Sequence, residues 1–237
     1  MKLSTIAKTS LALGILTTGV MTTYAQPADA EAQASVQNNN QSQDVKDLLT
    51  YYSQTGHDLR NVSGYRDGDK VNVIDRGVHT EVDLLGTDKS RINDDFLKSK
   101  FDVFVVGEGT GKQAPTRTIG GITKPNNKEF KDQVVRPQLT ITKQDGDFKI
   151  IHQDGPFNIY KEQISLKELD FKLRKHLIEK HGLYSKGTNK GDIIIKMKGD
   201  NVKNRYTFEL HKKLQDHRMG DVIDATQIDR IEVEYKK

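Results

Sequence analysis

The run from Arg205 to Asp224, RYTFELHKKLQDHRMGDVID, carries the side chains most informative about chemistry. Read as a strand at its start, it sends Thr207 and Glu209 to one face and Tyr206, Phe208 and Leu210 to the other. The aromatic face packs on a core and the polar face stays open. Arg218, eleven residues after Thr207, offers a planar guanidinium whose geometry suits a carboxylate. By spacing alone, Glu209, Lys212 and Arg218 read as ordinary surface charges that pair with one another. His211 and His217 lie in the same run, but a metal site needs three or four converging ligands and the neighbouring Lys212 and Arg218 oppose a cation. No metal site is therefore expected. His176 and His181 stand five apart, a poor spacing for sharing one metal. Gly107 to Lys112, GEGTGK, lacks the spacing of a phosphate-binding loop, so it reads as a strand connection. Asp67 and Asp69 flank Gly68 as turn residues and do not meet the calcium-loop pattern. No Gly-x-Ser-x-Gly, His-Glu-x-x-His or paired catalytic carboxylate motif occurs, and no cofactor is expected.

The elements that must hold these residues follow from patterning. The chain has 237 residues with 34% hydrophobic and 30% charged side chains, which suits small cores under a large wet surface. It has no cysteine, which removes disulfides, thiol nucleophiles and thiolate metal sites. Residues 1–30 read as a signal peptide: Lys2 and Lys8, an apolar run from Leu11 to Val20 too short to span a bilayer, and a small-x-small site at Ala28-Asp29-Ala30. The mature chain is expected to start at Glu31 and to be secreted. Removing Lys2, Lys8 and Asp29 lowers the formal charge of +4 by one. No other stretch approaches membrane-spanning length, so no membrane insertion is expected. Residues 31–43 are polar and low in complexity, and read as disordered.

Asp44 is placed as the N-cap of a short helix with Val45, Leu48, Leu49 and Tyr52 on one face, ended by Gly56. Short alternating runs then follow, with a hairpin turn at Asp67-Gly68, a nearly all-apolar strand at Asp102–Val106, and a strand over Thr116–Thr123 broken at Gly120-Gly121. These runs suggest a small closed barrel of the OB type over 44–125. After the turn cluster at 125–128, strands are expected at Gln138–Lys143, Phe148–His152, Ile193–Lys198, Arg205–Leu210 and Ile228–Tyr235. Among them stands one long helical stretch, Lys161 to Tyr184. Ser165 and Glu168 form a capping-box pattern, Leu166, Leu169, Leu173 and Leu177 share a face, and Gly182 supplies the stop. Glu168–Lys172, Asp170–Arg174 and Lys175–Glu179 are i,i+4 pairs expected on the wetter sides. One helix across a mixed sheet over 126–237 is a β-grasp arrangement. The fold class is thus β-rich α+β, an OB barrel followed by a β-grasp domain.

The long helical stretch resembles the second sequence signature of the staphylococcal and streptococcal superantigen toxins. Lys161, Ile164, Leu169-Asp170, Arg174, Leu177 and Leu183-Tyr184 fill it without a gap. The first signature, Tyr-Gly-Gly-apolar-Thr, is met by Gly120-Gly121-Ile122-Thr123, with Ile119 in place of the tyrosine. With the RMGDVID run, the chain is most similar to the staphylococcal superantigen-like secreted proteins. That resemblance implies the same two-domain fold, no catalysis, and binding to components of innate immunity. The strand and turn from Tyr206 to Met219 resemble the sialic-acid site of the glycan-binding members. The resemblance therefore implies glycan contacts from Thr207, Glu209, Lys212, Gln215 and Arg218. It implies partners among sialylated host glycoproteins and leukocyte surface receptors. The rivals are a glycan-independent antagonist of a receptor such as a Toll-like receptor, or a binder of immunoglobulin or complement. A nucleic-acid reading of the barrel needs aromatics interleaved with basic residues on one face, whereas Tyr65, Phe101 and Phe104 fall mostly at core-like positions. Exposed strand edges leave a homodimer open.

Overall fold

A computed structural model of the chain describes residues 42–112, 114–145, 147–185, 189–199 and 204–236. The expected signal peptide and the polar stretch up to residue 41 lie outside the described residues. Helix α1 spans Gln43–Ser53 with Ser42 as its N-cap, so Asp44 sits in the first turn instead of capping it. A carboxylate there still favours the positive end of the helix dipole. Gly56 lies beyond the helix end. A Cβ on it would come within 2.7 Å of the Phe104 ring, so the glycine serves close packing and does not terminate the helix.

Seven short strands follow: β1 (His57–Val62), β2 (Gly64–Asp67), β3 (Lys70–Asp75), β4 (Val78–Asp83), β5 (Phe101–Val105), β6 (Thr116–Ile119) and β7 (Ile122–Thr123), with α2 (Asp88–Arg91) and α3 (Asp94–Leu97) between β4 and β5. Their hydrogen bonds make two sheets, β1-β5-β7 and β2-β3-β4-β6, and no continuous closed ladder. The closed barrel expected from the strand count is thus corrected to two sheets joined at corners. The chain passes from one sheet to the other between β1 and β2, next to Asn61 at φ +52, and between β6 and β7 through Gly120 and Gly121 at φ +56 and +84. Those left-handed residues turn the strand and interrupt its pairing. Strand β5 is buried on both faces. Phe101, Val103 and Val105 join the core between these two sheets, while Phe104 packs into the second, larger core. Phe101 and Phe104 are core residues, and Tyr65 is exposed on β2.

The second half contributes β8 (Gln138–Asp145), β9 (Phe148–Pro156), β10 (Gln163–Ser165), α4 (Leu166–His181), β11 (Gly191–Met197), β12 (Arg205–Glu209), β13 (Val222–Asp224) and β14 (Ile228–Tyr235). Five of these strands form a sheet in the order β12-β11-β14-β8-β9, in which β14 and β8 run parallel. Leu166, Leu169, Leu173 and Leu177 of α4 are buried with Ile193, Ile195, Ile231 and Val233 of the sheet. Helix α4 starts at Leu166, five residues later than the start of the signature, because Gln163–Ser165 pairs with β13. Ser165 accepts from Glu168 N at 3.1 Å and Gly182 closes the helix at φ +66. The reciprocal half of the capping box is replaced: Glu168 meets Lys161 at 2.6 Å and Lys172 at 2.5 Å.

Lys167 is fully buried where α4 meets the first half of the chain. Its Nζ donates to Thr118 Oγ1 at 2.5 Å and to Ile119 O at 2.8 Å, and it has no ion pair among the described residues. Burial pushes its ammonium down to about 7 from an ordinary 10.5. The unfolded chain keeps that proton up to about 10.5, whereas the folded chain releases it near 7. Between those values the unfolded state holds more protons, so folding stability contributed by this residue rises with pH. Below 7 the cost of burying the charge is present in full. Relative to Lys167→Met, the wild type should therefore gain stability between pH 7 and 10. Thermal melts of the two proteins across that range check this, and parallel pH profiles would refute it.

Candidate glycan-binding site

Strand β12 is an edge strand. Among the described residues it pairs only with β11, Thr207 opposite Ile194 and Glu209 opposite Asp192. Phe208 and Leu210 are buried, and Thr207 and Glu209 are partly exposed, as the alternation requires. Beyond β12 the chain loops out and is pinned back by buried Leu214 and Met219. Between these pins Asp216–Arg218 form a single 3-10 turn, with Arg218 N donating to Gln215 O at 2.8 Å.

This geometry brings the five sequence-predicted residues into one strand-and-turn unit. Arg218 Nη1 donates to Thr207 O at 3.2 Å and to Gln215 Oε1 at 3.1 Å. Its guanidinium carbon lies 5.8 Å from the centre of the Phe208 ring. Glu209 and Lys212 form an exposed pair at 3.2 Å. Of the three charges that spacing alone would pair together, Glu209 and Lys212 do pair, whereas Arg218 has no carboxylate partner among the described residues. A guanidinium oriented by a carbonyl and a side-chain amide remains able to take a carboxylate. The Glu209–Lys212 pair is wet and weakly held, so both members can re-partner with sugar hydroxyls. A groove of about 510 Å³ is lined by Asp44, Leu48 and Tyr51 of α1 and by His211, Lys212 and Lys213.

The residues that position this unit are mostly ones the sequence placed elsewhere. Asp170 and Arg174 of α4 are 1% and 0% exposed, which corrects their expected place on the wetter sides of the helix. Arg174 donates from Nε to Asp170 Oδ1 at 2.7 Å, from Nη1 to Tyr184 Oη at 2.5 Å and Leu210 O at 3.1 Å, and from Nη2 to Glu209 O at 3.0 Å. It thereby holds the end of β12. Tyr52 of α1 donates to Asp170 Oδ2 at 2.6 Å and accepts from Leu214 N at 3.2 Å, which fixes the middle of the turn. Burial pushes the Tyr184 phenol up to about 12, partly offset by the Arg174 charge, so this hydroxyl stays protonated at neutral pH and donates to Leu210 O. The fixed Asp and Arg of the signature were the available signal.

The first half of the chain braces the turn as well. Glu108, in the glycine-rich loop, takes Lys213 Nζ at 2.9 Å on both oxygens and the Tyr51 hydroxyl at 2.7 Å. That loop connects β5 to β6, as expected. Gly121 N donates to Met219 O at 3.2 Å. A Cβ on Gly120 would approach Met219 C to 2.7 Å, and one on Gly86 would approach His217 O to 2.0 Å. Both glycines also have positive φ, so any side chain there would be strained and would push the turn away. His211 and His217 are exposed and join no group of metal ligands among the described residues. His176 and His181, in contrast, both reach Asp154, at 2.5 and 2.9 Å, so their five-residue spacing does let them share one partner.

Comparison with known proteins fits this architecture. Residues 46–126 match the staphylococcal superantigen-like OB-fold domain, and residues 137–235 match the staphylococcal/streptococcal toxin beta-grasp domain. The chain is 46% identical over 233 residues to superantigen-like protein 11 of Staphylococcus aureus strain Newman, covering 98% of this chain and 99% of that one. The crystal structure of SET3, a superantigen-like protein from Staphylococcus aureus, superposes with a TM-score of 0.72 at 37% identity over 83% of this chain and 98% of that one. A crystal structure of the staphylococcal superantigen-like protein SSL5 complexed with sialyl Lewis X superposes with a TM-score of 0.69 at 37% identity, covering 81% of this chain and all of that one. The two domain matches in sequence order, together with relatives matched end to end, establish that this chain belongs to the staphylococcal superantigen-like family.

Proposed function

We propose that this protein is a secreted, non-enzymatic immune-evasion factor that binds sialylated host glycoproteins on leukocytes through Thr207, Glu209, Lys212, Gln215 and Arg218. The observation that carries this reading is the Arg218 guanidinium, held by Thr207 O and Gln215 Oε1 with no acid beside it among the described residues. Sialic acid brings the missing carboxylate. Arg218 takes it as a charge-assisted contact, with the Thr207 hydroxyl completing the clasp. Glu209 accepts from sugar hydroxyls, and Lys212 and Gln215 donate to sugar oxygens. The complex of SSL5 with sialyl Lewis X supports the same chemistry in a relative. The site is shallow and wet, so a single glycan binds weakly and multivalent display on a cell supplies avidity. Among the described residues no helix is long and apolar enough to cross a membrane.

Binding of labelled protein to leukocytes before and after sialidase treatment tests the reading. Binding should fall to a small fraction after desialylation; unchanged binding would overturn it. In that event the second reading, a protein partner engaged without glycan, has its own foothold. Phe148, Ile150 and Ile151 are 78%, 54% and 59% exposed on the edge strand β9, at the far side of the sheet from the glycan site. An apolar edge of this kind suits docking of another protein chain.

A further inference from the structure

Strand β9 and the C-terminal half of α4 bring three imidazoles to one carboxylate. Asp154 Oδ1 lies 3.4 Å from His152 Nε2 and 2.9 Å from His181 Nε2. Its other oxygen, Oδ2, lies 2.5 Å from His176 Nε2. The ligating atoms of His152, Asp154 and His181 all fall within 4.8 Å of one another. Asp154 and His181 are largely buried, with side chains 14% exposed, while His152 is 61% exposed and opens the cluster to solvent.

We propose that His152, Asp154 and His181 form a Zn²⁺ site, with His176 holding the second carboxylate oxygen. Zinc takes imidazole nitrogen and carboxylate oxygen at about 2.0–2.2 Å in a tetrahedron, which sets neighbouring ligand atoms about 3.3–3.5 Å apart. The 2.9 and 3.4 Å separations around Asp154 Oδ1 are near that edge already, so small side-chain rotations complete the set. Two imidazoles and one carboxylate, with no thiolate, match the donor preference of zinc and leave a fourth position for water or an outside donor. His176 plays the outer role that orients a ligating carboxylate. Sheet order places this cluster at the β9 edge, opposite the β12 edge that carries Thr207 and Glu209, so it is separate from the glycan unit.

Isothermal titration of the full chain with Zn²⁺ at neutral pH, in buffer free of chelator, tests the site. One saturable event is expected. His152→Ala and His181→Ala should each weaken it by at least about tenfold, and His176→Ala by about 10–100-fold through loss of carboxylate orientation. His211→Ala should leave it unchanged. Because His152 is exposed, His152→Ala leaves the fold intact, and circular dichroism of each variant confirms folding. Zn²⁺ should also raise the melting temperature of the wild type, reversibly with chelator, and not that of His152→Ala. Absence of saturable binding, or wild-type affinity in His152→Ala and His181→Ala, would overturn the proposal.

Discussion

Arg218→Ala is expected to lower affinity for immobilised sialylated glycan by about 10–100-fold, while leaving the fold intact. The magnitude follows from losing a charge-assisted contact, worth about 1.5–3 kcal/mol. The fold should tolerate the change because the partners of Arg218 are neutral acceptors on a half-exposed turn, Thr207 O and Gln215 Oε1. The turn keeps its buried pins Leu214 and Met219 and its ion pair from Lys213 to Glu108. Arg218→Lys should fall between, since an ammonium keeps the charge but cannot present a planar fork. Surface plasmon resonance on a sialylated surface, with an asialo surface as reference, gives the comparison. Wild-type affinity in Arg218→Ala would move the glycan contact away from this turn.

The fold was largely legible because it is written in short-range patterns. The final strand falls on Ile228–Tyr235, where alternation placed it, and Gly182 stops α4 where a left-handed residue was expected. What escaped the sequence are contacts made across long separations. The two sheets of the first half pass into each other at Asn61 and at Gly120-Gly121, and a strand count cannot say whether a ladder closes through such corners. Asp170 and Arg174 look like an ordinary i,i+4 surface pair. Their burial depends on Tyr52, from a helix more than a hundred residues earlier, and on the carbonyls of Glu209 and Leu210. Helical spacing likewise argued against His176 and His181 acting together, and only the strand bearing Asp154 supplies their meeting point. The candidate glycan residues were readable as a linear run. That Arg218 pairs with no carboxylate among the described residues while Lys212 does is a fact of three-dimensional placement.

Arg174→Ala is expected to cost about 3–5 kcal/mol of stability, the largest effect of any single change here, because it strips a buried carboxylate of its cation. Asp170 would keep only the Tyr52 hydroxyl, in a site where Arg174 had been fully enclosed. The carbonyls of Glu209 and Leu210 and the Tyr184 hydroxyl would each lose the Arg174 donor at the same time, the two carbonyls keeping Lys212 N and the Tyr184 hydroxyl respectively. For a chain of this length, the melting temperature should fall by about 6–20 °C. Arg174→Lys should be intermediate, since one ammonium cannot span Asp170, Tyr184 and two carbonyls together. At temperatures where Arg174→Lys is still folded, glycan affinity should also drop, because the end of β12 is no longer held from below. Arg218→Ala would instead lose binding without losing stability. This contrast separates a positioning residue from a contacting one. Melting curves for Arg174→Ala within about 2 °C of wild type would show that the buried network is dispensable and that the site strand is held by its pairing with β11 alone.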